Sequence, residues 1–252
     1  MIKTEGLILK EQSVGENDKL VTVLTRSNGI IRCFARRAKK LISNVSSACQ
    51  VMTFSRLEIT ERRDKYIITS AEVIKSFFEI FSDMNSLALG YYLCELSIRM
   101  IPENMPSEDH LQLLLNCLYA ASEKIKPPDM IKAVFEIRIM LLDGVMPDIL
   151  FCSECGAYDS ENDTMHYDPI ANKLFCPKCC YQKGNIRQCI TVSMGCITAA
   201  RYCISAHPKK ILSFQLSEHS MLDFGKFAER FILARNDFYC PTLDFYKSVK
   251  NL

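Results

Sequence analysis

Two short cysteine pairs carry the clearest chemistry in this chain: Cys152-Ser153-Glu154-Cys155 and Cys176-Pro177-Lys178-Cys179, with twenty residues between them. Each C-x-x-C knuckle lets a tight turn aim two thiolates at one ion, and two knuckles complete a tetrahedral four-sulfur shell of the zinc-ribbon kind. Four protein ligands leave no position open for water, so the spacing predicts one structural Zn2+. Cys180 adjoins the second knuckle and His166 lies between the two; both are read as bystanders, each able in principle to replace a ligand. A zinc deaminase would need a His-x-Glu ahead of its second cysteine pair. None of His110, His166, His207 or His219 is followed two residues later by Glu, which excludes that enzyme class.

The second chemical signal is charge. From Lys19 to Leu57 the chain carries Lys19, Arg26, Arg32, Arg36, Arg37, Lys39, Lys40 and Arg56 without one Asp or Glu. The formal net charge of the whole chain is only +2, yet residues 1–75 hold 14 basic against 8 acidic side chains. A basic front attracts polyanions, nucleic acid above all. Arg36, Arg37, Lys39 and Lys40 are the leading candidates for phosphate contacts, with Arg26 and Arg32 supporting them from strands. Phe34 lies among them and suits either base stacking or the core. The bland alternative for the whole segment is a solvated basic loop.

The elements that position these residues change character along the chain. Ile2–Leu9, Lys19–Arg26, Ile30–Arg36, Val51–Glu61 and Lys65–Val73 read as strands, with Ser27-Asn28-Gly29 as a hairpin turn. Five short strands suit a small closed barrel of the oligonucleotide-binding kind. Helical spacing follows: Leu87, Tyr91, Cys94 and Ile98; then Leu111 to Leu118 behind Ser107 as N-cap; then Ile131 to Leu142, stopped by Gly144 and Pro147. Two later helices are expected near Met194–Ser205 and Ser217–Ala234, the second with Ser217 as cap. The expected fold is therefore α+β: an N-terminal five-stranded, OB-like barrel over residues 1–78, then a helical domain over 79–252 carrying an inserted zinc ribbon at about 150–183.

Other chemistry is absent from the sequence. No phosphate-cradling Gly-x-x-x-x-Gly-Lys, Gly-x-Gly-x-x-Gly or Gly-x-Ser-x-Gly occurs. No segment approaches a membrane span and no apolar leader opens the chain, so the thirteen cysteines are expected in a reducing cytosol. Cys94, Cys117, Cys196 and Cys203 sit in apolar helical runs and read as small core side chains.

The order of these features resembles the RecO family of bacterial recombination-mediator proteins. The matching pieces are Thr4 to Lys10 followed by Gly15 to Lys19, then Thr25 to Ile30, a strand and the Arg/Lys cluster. Tyr92 to Leu96, Phe135-Glu136, Leu141-Leu142, Gly144, Pro147 and Leu150 lead into the first knuckle, and Leu243-Asp244-Phe245 closes the match. The run Ala35-Arg36-Arg37-Ala38-Lys39-Lys40 departs from the family in lacking Gly and Pro. The resemblance implies a non-enzymatic DNA-repair protein of the bacterial cytoplasm and nucleoid. Such a protein binds single- and double-stranded DNA and anneals complementary strands. It also implies partners: single-strand DNA-binding protein, RecR and, indirectly, the RecA recombinase. The acidic, apolar-ended tail of single-strand DNA-binding protein would need an apolar groove with a nearby cation, for which Arg99 and Lys132 are the candidates. The competing expectations are a zinc-ribbon interaction module, acting as a transcription or ribosome accessory protein, and a hydrolase with an unrecognised site.

Overall fold

A computed structural model describes residues 1–36, 38, 44–63, 65–160, 162–184, 187–236 and 239–250. Arg37, Lys39 and Lys40, three of the expected phosphate contacts, lie outside the described residues.

The front of the chain forms a closed barrel of β1 (Ile2–Val14), β2 (Asp18–Thr25), β3 (Gly29–Ala35), β4 (Thr53–Arg62) and β5 (Lys65–Ser76) in the order β1-β2-β3-β5-β4. Antiparallel pairing of β1 with β4 closes it, and β3 runs parallel to β5. Alternation explains the inside: Val21 and Val23 of β2, Ile31, Cys33 and Ala35 of β3, and Leu57 and Ile59 of β4 meet in one buried cluster. Burial pushes the Cys33 and Cys49 thiols up to about 12, so both act as inert core groups. Register shifts at Leu9 of β1 and at Thr69 and Ile74 of β5, each an extra residue against its partner strand, bend the strands around the small core. The short helix α1 (Asn44–Ala48) joins β3 to β4, and the buried Ser55 hydroxyl donates to the Ala48 carbonyl at 2.9 Å.

The β2–β3 turn is built by local hydrogen bonds. The Thr25 hydroxyl donates to the Gly29 carbonyl (3.0 Å) and accepts from the Asn28 N–H (3.2 Å). Gly29 has φ +57°, and a Cβ there would lie 2.4 Å from the Pro102 carbonyl oxygen. Only glycine serves both the left-handed backbone and this close approach. The loop that approaches joins α2 (Met84–Met100) to α3 (Glu108–Ser122), and its backbone is tied to the turn by Ile30 N–H to Pro102 O (3.3 Å) and Ser107 N–H to Arg26 O (3.0 Å). Ser107 does stand at the α3 N-cap position. Its hydroxyl, however, donates to the Met105 carbonyl at 3.0 Å and makes no cap to a helix N–H, so the expected capping bond is not formed.

The barrel strands end at Ser76, but compactness divides the chain elsewhere: one unit is Met1–Ile125 with Cys240–Leu252, the other Lys126–Tyr239. Residue 78 thus marks a change of element type within the first unit. That unit also holds the C-terminal helix Pro241–Lys250, whose first turn is capped by Glu95 of α2 through the Thr242 N–H (3.1 Å) and hydroxyl (2.6 Å).

The second unit contains α4 (Pro128–Leu142), α5 (Pro177–Lys183), α6 (Met194–Ser205) and α7 (Glu218–Leu233). A three-stranded sheet, order β7-β6-β8, is made of β6 (Thr164–Asp168), β7 (Lys173–Phe175) and β8 (Ile190–Ser193). The caps of α6 and α7 are serines, Ser193 accepting from Cys196 N–H and Ser217 from Ser220 N–H. After α4, Gly144 at φ +79° lets Val145 N–H reach Met140 O and Gly144 N–H reach Leu141 O, which stops the helix. From Met130 to Met140 every residue of α4 is buried, including Lys132, Glu136 and Arg138. Arg138 answers its own burial by donating to the Cys203 and Ala206 carbonyls at the C-terminus of α6 (2.9 and 3.2 Å).

Candidate metal centre and nucleic-acid interface

The two knuckles meet. The Sγ atoms of Cys152, Cys155, Cys176 and Cys179 all lie within 4.8 Å of one another, with Cys155 and Cys176 sulfurs 3.7 Å apart. A tetrahedral ion with metal–sulfur bonds of about 2.3 Å has sulfur–sulfur edges of about 3.8 Å, so this donor set fits one metal ion. The first knuckle turns through Gly156 (φ +73°), whose N–H donates to the Cys152 carbonyl (2.9 Å). The second sits at the start of α5, where Cys176 is the N-cap and Pro177 opens the helix. At Cys152 burial opposes ionisation, but the N–H groups of Cys155, Cys176 and Glu154 outweigh it and bring the thiol down to about 7. Cys179 is pushed up, first by its hydrogen bond to the Cys176 sulfur. One sulfur is ready to ionise while a neighbour resists adding a second negative charge, a conflict that a bound cation removes. Cys180 and His166 stand apart from this cluster. Cys180 is fully buried and interacts with Cys189, and the His166 ring faces the Thr191 hydroxyl at 3.1 Å and the edge of Tyr181.

On the barrel, Arg32 and Phe34 of β3 point outward between the inward Ile31, Cys33 and Ala35, and exposed Arg36 follows the strand's end. Phe34 is half-buried on the outer wall of β3, on the face opposite Ile31, Cys33 and Ala35. Register places Leu20 of β2 and Ile67 of β5 on either side of it, and the Lys65 ammonium lies 5.5 Å from its ring centroid. Lys65 was not among the expected site residues. It belongs to the exposed β4–β5 hairpin, with Arg62 and Arg63, and the parallel β3–β5 pairing, with Cys33 opposite Tyr66, sets Lys65 level with Arg32. The signal was present as Arg62-Arg63 and Lys65 around one turn, but only the pairing reveals their neighbours.

The fold corrects the expectation of an uncompensated field along Lys19–Leu57. Acids distant in sequence reach several of these cations. Lys19 meets Glu11 (2.8 Å), Arg26 meets Glu108 (2.8 Å) and Glu5 (3.5 Å), Arg32 meets Glu103 (3.0 Å), and Arg56 meets Glu5 and Glu72 (both 3.4 Å). Among the described residues, Arg36, Arg62, Arg63 and Lys65 make no ion pair. The unpaired positive charge is therefore left at Arg36, just past β3, and along the β4–β5 hairpin.

The two candidate cations for partner binding have different fates. Arg99 donates to Glu95 at 2.9 Å and lines a groove of about 750 Å³ with Leu9, Lys10, Tyr91, Ile98 and Thr242. Lys132 offers no surface charge: it is 4% exposed and bridges Glu136 (2.8 Å) and Glu229 (3.0 Å). The helical period that buries all sides of α4 buries it too.

Among the described residues, no helix is long and apolar enough to cross a membrane. Comparison with known proteins agrees along nearly the whole length. The family model "Recombination protein O N terminal" matches residues 1–77, and "Recombination protein O C terminal" matches residues 81–233. A DNA repair protein RecO of Acetivibrio thermocellus is 29% identical over 100% of this chain and 98% of its own length. One of Caldicellulosiruptor bescii is 35% identical over 71% of this chain and 72% of its own, and one of Symbiobacterium thermophilum is 22% identical over 100% and 98%. A closed five-stranded barrel, the helices and cysteine knuckles that follow it, and these matches in the same order together show that the chain belongs to the RecO family of DNA repair proteins.

Proposed function

We propose that this chain is a non-enzymatic DNA-binding protein of recombinational repair, working in the bacterial cytoplasm at the nucleoid. It binds single- and double-stranded DNA, anneals complementary strands and helps load the RecA recombinase, together with RecR, onto DNA coated by single-strand DNA-binding protein. The observation that carries this reading is the outward Arg32-Phe34-Arg36 row with Lys65 over the Phe34 ring. Annealing requires two mutually repelling strands to be held close with their bases free. Cations on a barrel wall screen phosphates, and one aromatic ring stacks a base without covering its pairing edge. Arg26, Arg37, Lys39 and Lys40 are proposed as further phosphate contacts.

The four cysteines are proposed to hold one structural Zn2+, which when bound ties β6, β7 and α5 to the first knuckle. The groove beside Arg99 is proposed to receive the tail of single-strand DNA-binding protein, its apolar residues against Leu9, Tyr91 and Ile98. Family membership disfavours the accessory-protein alternative. The test is annealing of complementary oligonucleotides precoated with single-strand DNA-binding protein. Purified protein is expected to accelerate annealing in proportion to its concentration without consuming nucleotide. Annealing no faster than the coated strands alone would overturn the proposal.

A further inference from the structure

The acids that reach Arg26 and Arg32 are placed by backbone as well as by charge. Glu103 and Glu108 flank the loop that is hydrogen-bonded to the β2–β3 turn at Pro102 and Ser107, and Gly29 leaves room for that loop's carbonyls to approach. All four side chains remain open to solvent: Arg26 and Glu108 are 52% and 64% exposed, Arg32 and Glu103 62% and 55%. Exposed pairs of this kind contribute about 0–1 kcal/mol to folding, so stability does not account for the arrangement. Its electrostatic effect is larger. A phosphate approaching either arginine meets a carboxylate already seated on it, and the anchored loop keeps that carboxylate nearby after displacement. Glu5 adds to this at Arg26, 3.5 Å away. Arg36, at the other end of β3, and Lys65, level with Arg32 on β5, carry no such acid among the described residues.

We propose that Glu103 and Glu108 are built-in competitors for phosphate at Arg26 and Arg32. They grade the barrel face so that DNA is held firmly at the unpaired cations Arg36 and Lys65 and weakly at Arg26 and Arg32. Weak seating at these two arginines suits a protein that must release strands once paired. The inference rests on the DNA-binding reading above and adds to it the residues that limit affinity.

The test is salt-dependent binding of single-stranded DNA by the full chain and by Glu103→Gln/Glu108→Gln. Freeing two arginines should add about two phosphate contacts, steepening the slope of log K against log salt by roughly 1.4 and tightening binding on the order of tenfold at 0.1 M salt. The gain should vanish when the two Gln changes are made in an Arg26→Ala/Arg32→Ala background, which separates direct competition from a general change of field. Binding by parent and Gln variant with equal slope and affinity would overturn the inference alone. A gain that persists without the arginines would also overturn it. No binding by either protein would overturn the DNA-binding reading together with the inference.

Discussion

Cys152→Ser is expected to leave the purified protein without its metal and to unfold the region around β6, β7 and α5. Structural zinc in small peptides contributes on the order of 10–16 kcal/mol of apparent binding free energy near neutral pH, which is also local folding free energy. The sheet here is short, with three register partners joining β6 to β7 and four joining β6 to β8, so it gains much of its hold on the knuckles from the metal. Cys152 is one of the four clustered sulfurs, so its replacement leaves only three protein ligands for the ion. Metal analysis should fall from one zinc per chain to none. Amide exchange should rise between Cys152 and Lys183 while the barrel strands stay protected. A full complement of zinc in the variant would contradict the four-sulfur centre.

The second large effect concerns α4. Lys132→Ala is expected to destabilise the protein by about 3–5 kcal/mol at neutral pH, because it takes the ammonium away from Glu136, which is fully buried. In the parent, burial lowers the Lys132 pKa, but Glu136 and Glu229 outweigh it and raise the pKa above the usual 10.5. The sign follows: this contribution is fully present below the unfolded-state pKa and is lost only as pH rises through the raised folded value. Between pH 5 and 8 it is constant in the parent. In the variant, a buried Glu136 without the ammonium favours protonation, so the deficit should shrink as pH falls towards 5. Denaturant unfolding at both pH values measures this. Lys132→Met with Glu136→Leu should recover most of the loss. A loss below about 1 kcal/mol for the single variant would contradict the triad's importance.

Local signals made much of the architecture legible. β2 to β5 are rich in β-branched and other apolar side chains between turn residues, and α6 and α7 combine a helical period with serine caps at Ser193 and Ser217. What escaped was set by pairing across the chain. The second half of β1, Lys10–Val14, is exposed throughout and has no alternation; only its register with β2 makes it a strand. β8 is four residues long and falls beyond the expected ribbon segment. Eighty-two residues separate Arg26 from Glu108, so no inspection of the basic run alone could reveal its acids. The same holds for Lys65 beside Phe34. The cysteine centre was readable because its spacing is itself the constraint: two ligands per turn and two turns per ion.

The claim on which the functional proposal turns is that the outer wall of β3 is the DNA surface. Its most direct test is one salt titration of single-stranded DNA binding, run on the parent, on Arg36→Ala/Lys65→Ala and on Phe34→Ala. Loss of two phosphate contacts should flatten the slope of log K against log salt by roughly 1.4 in the double variant. Loss of one stacked base should instead shift the Phe34→Ala line down by about 1–3 kcal/mol with its slope unchanged. If both variants retain the parental line, DNA does not bind on this wall.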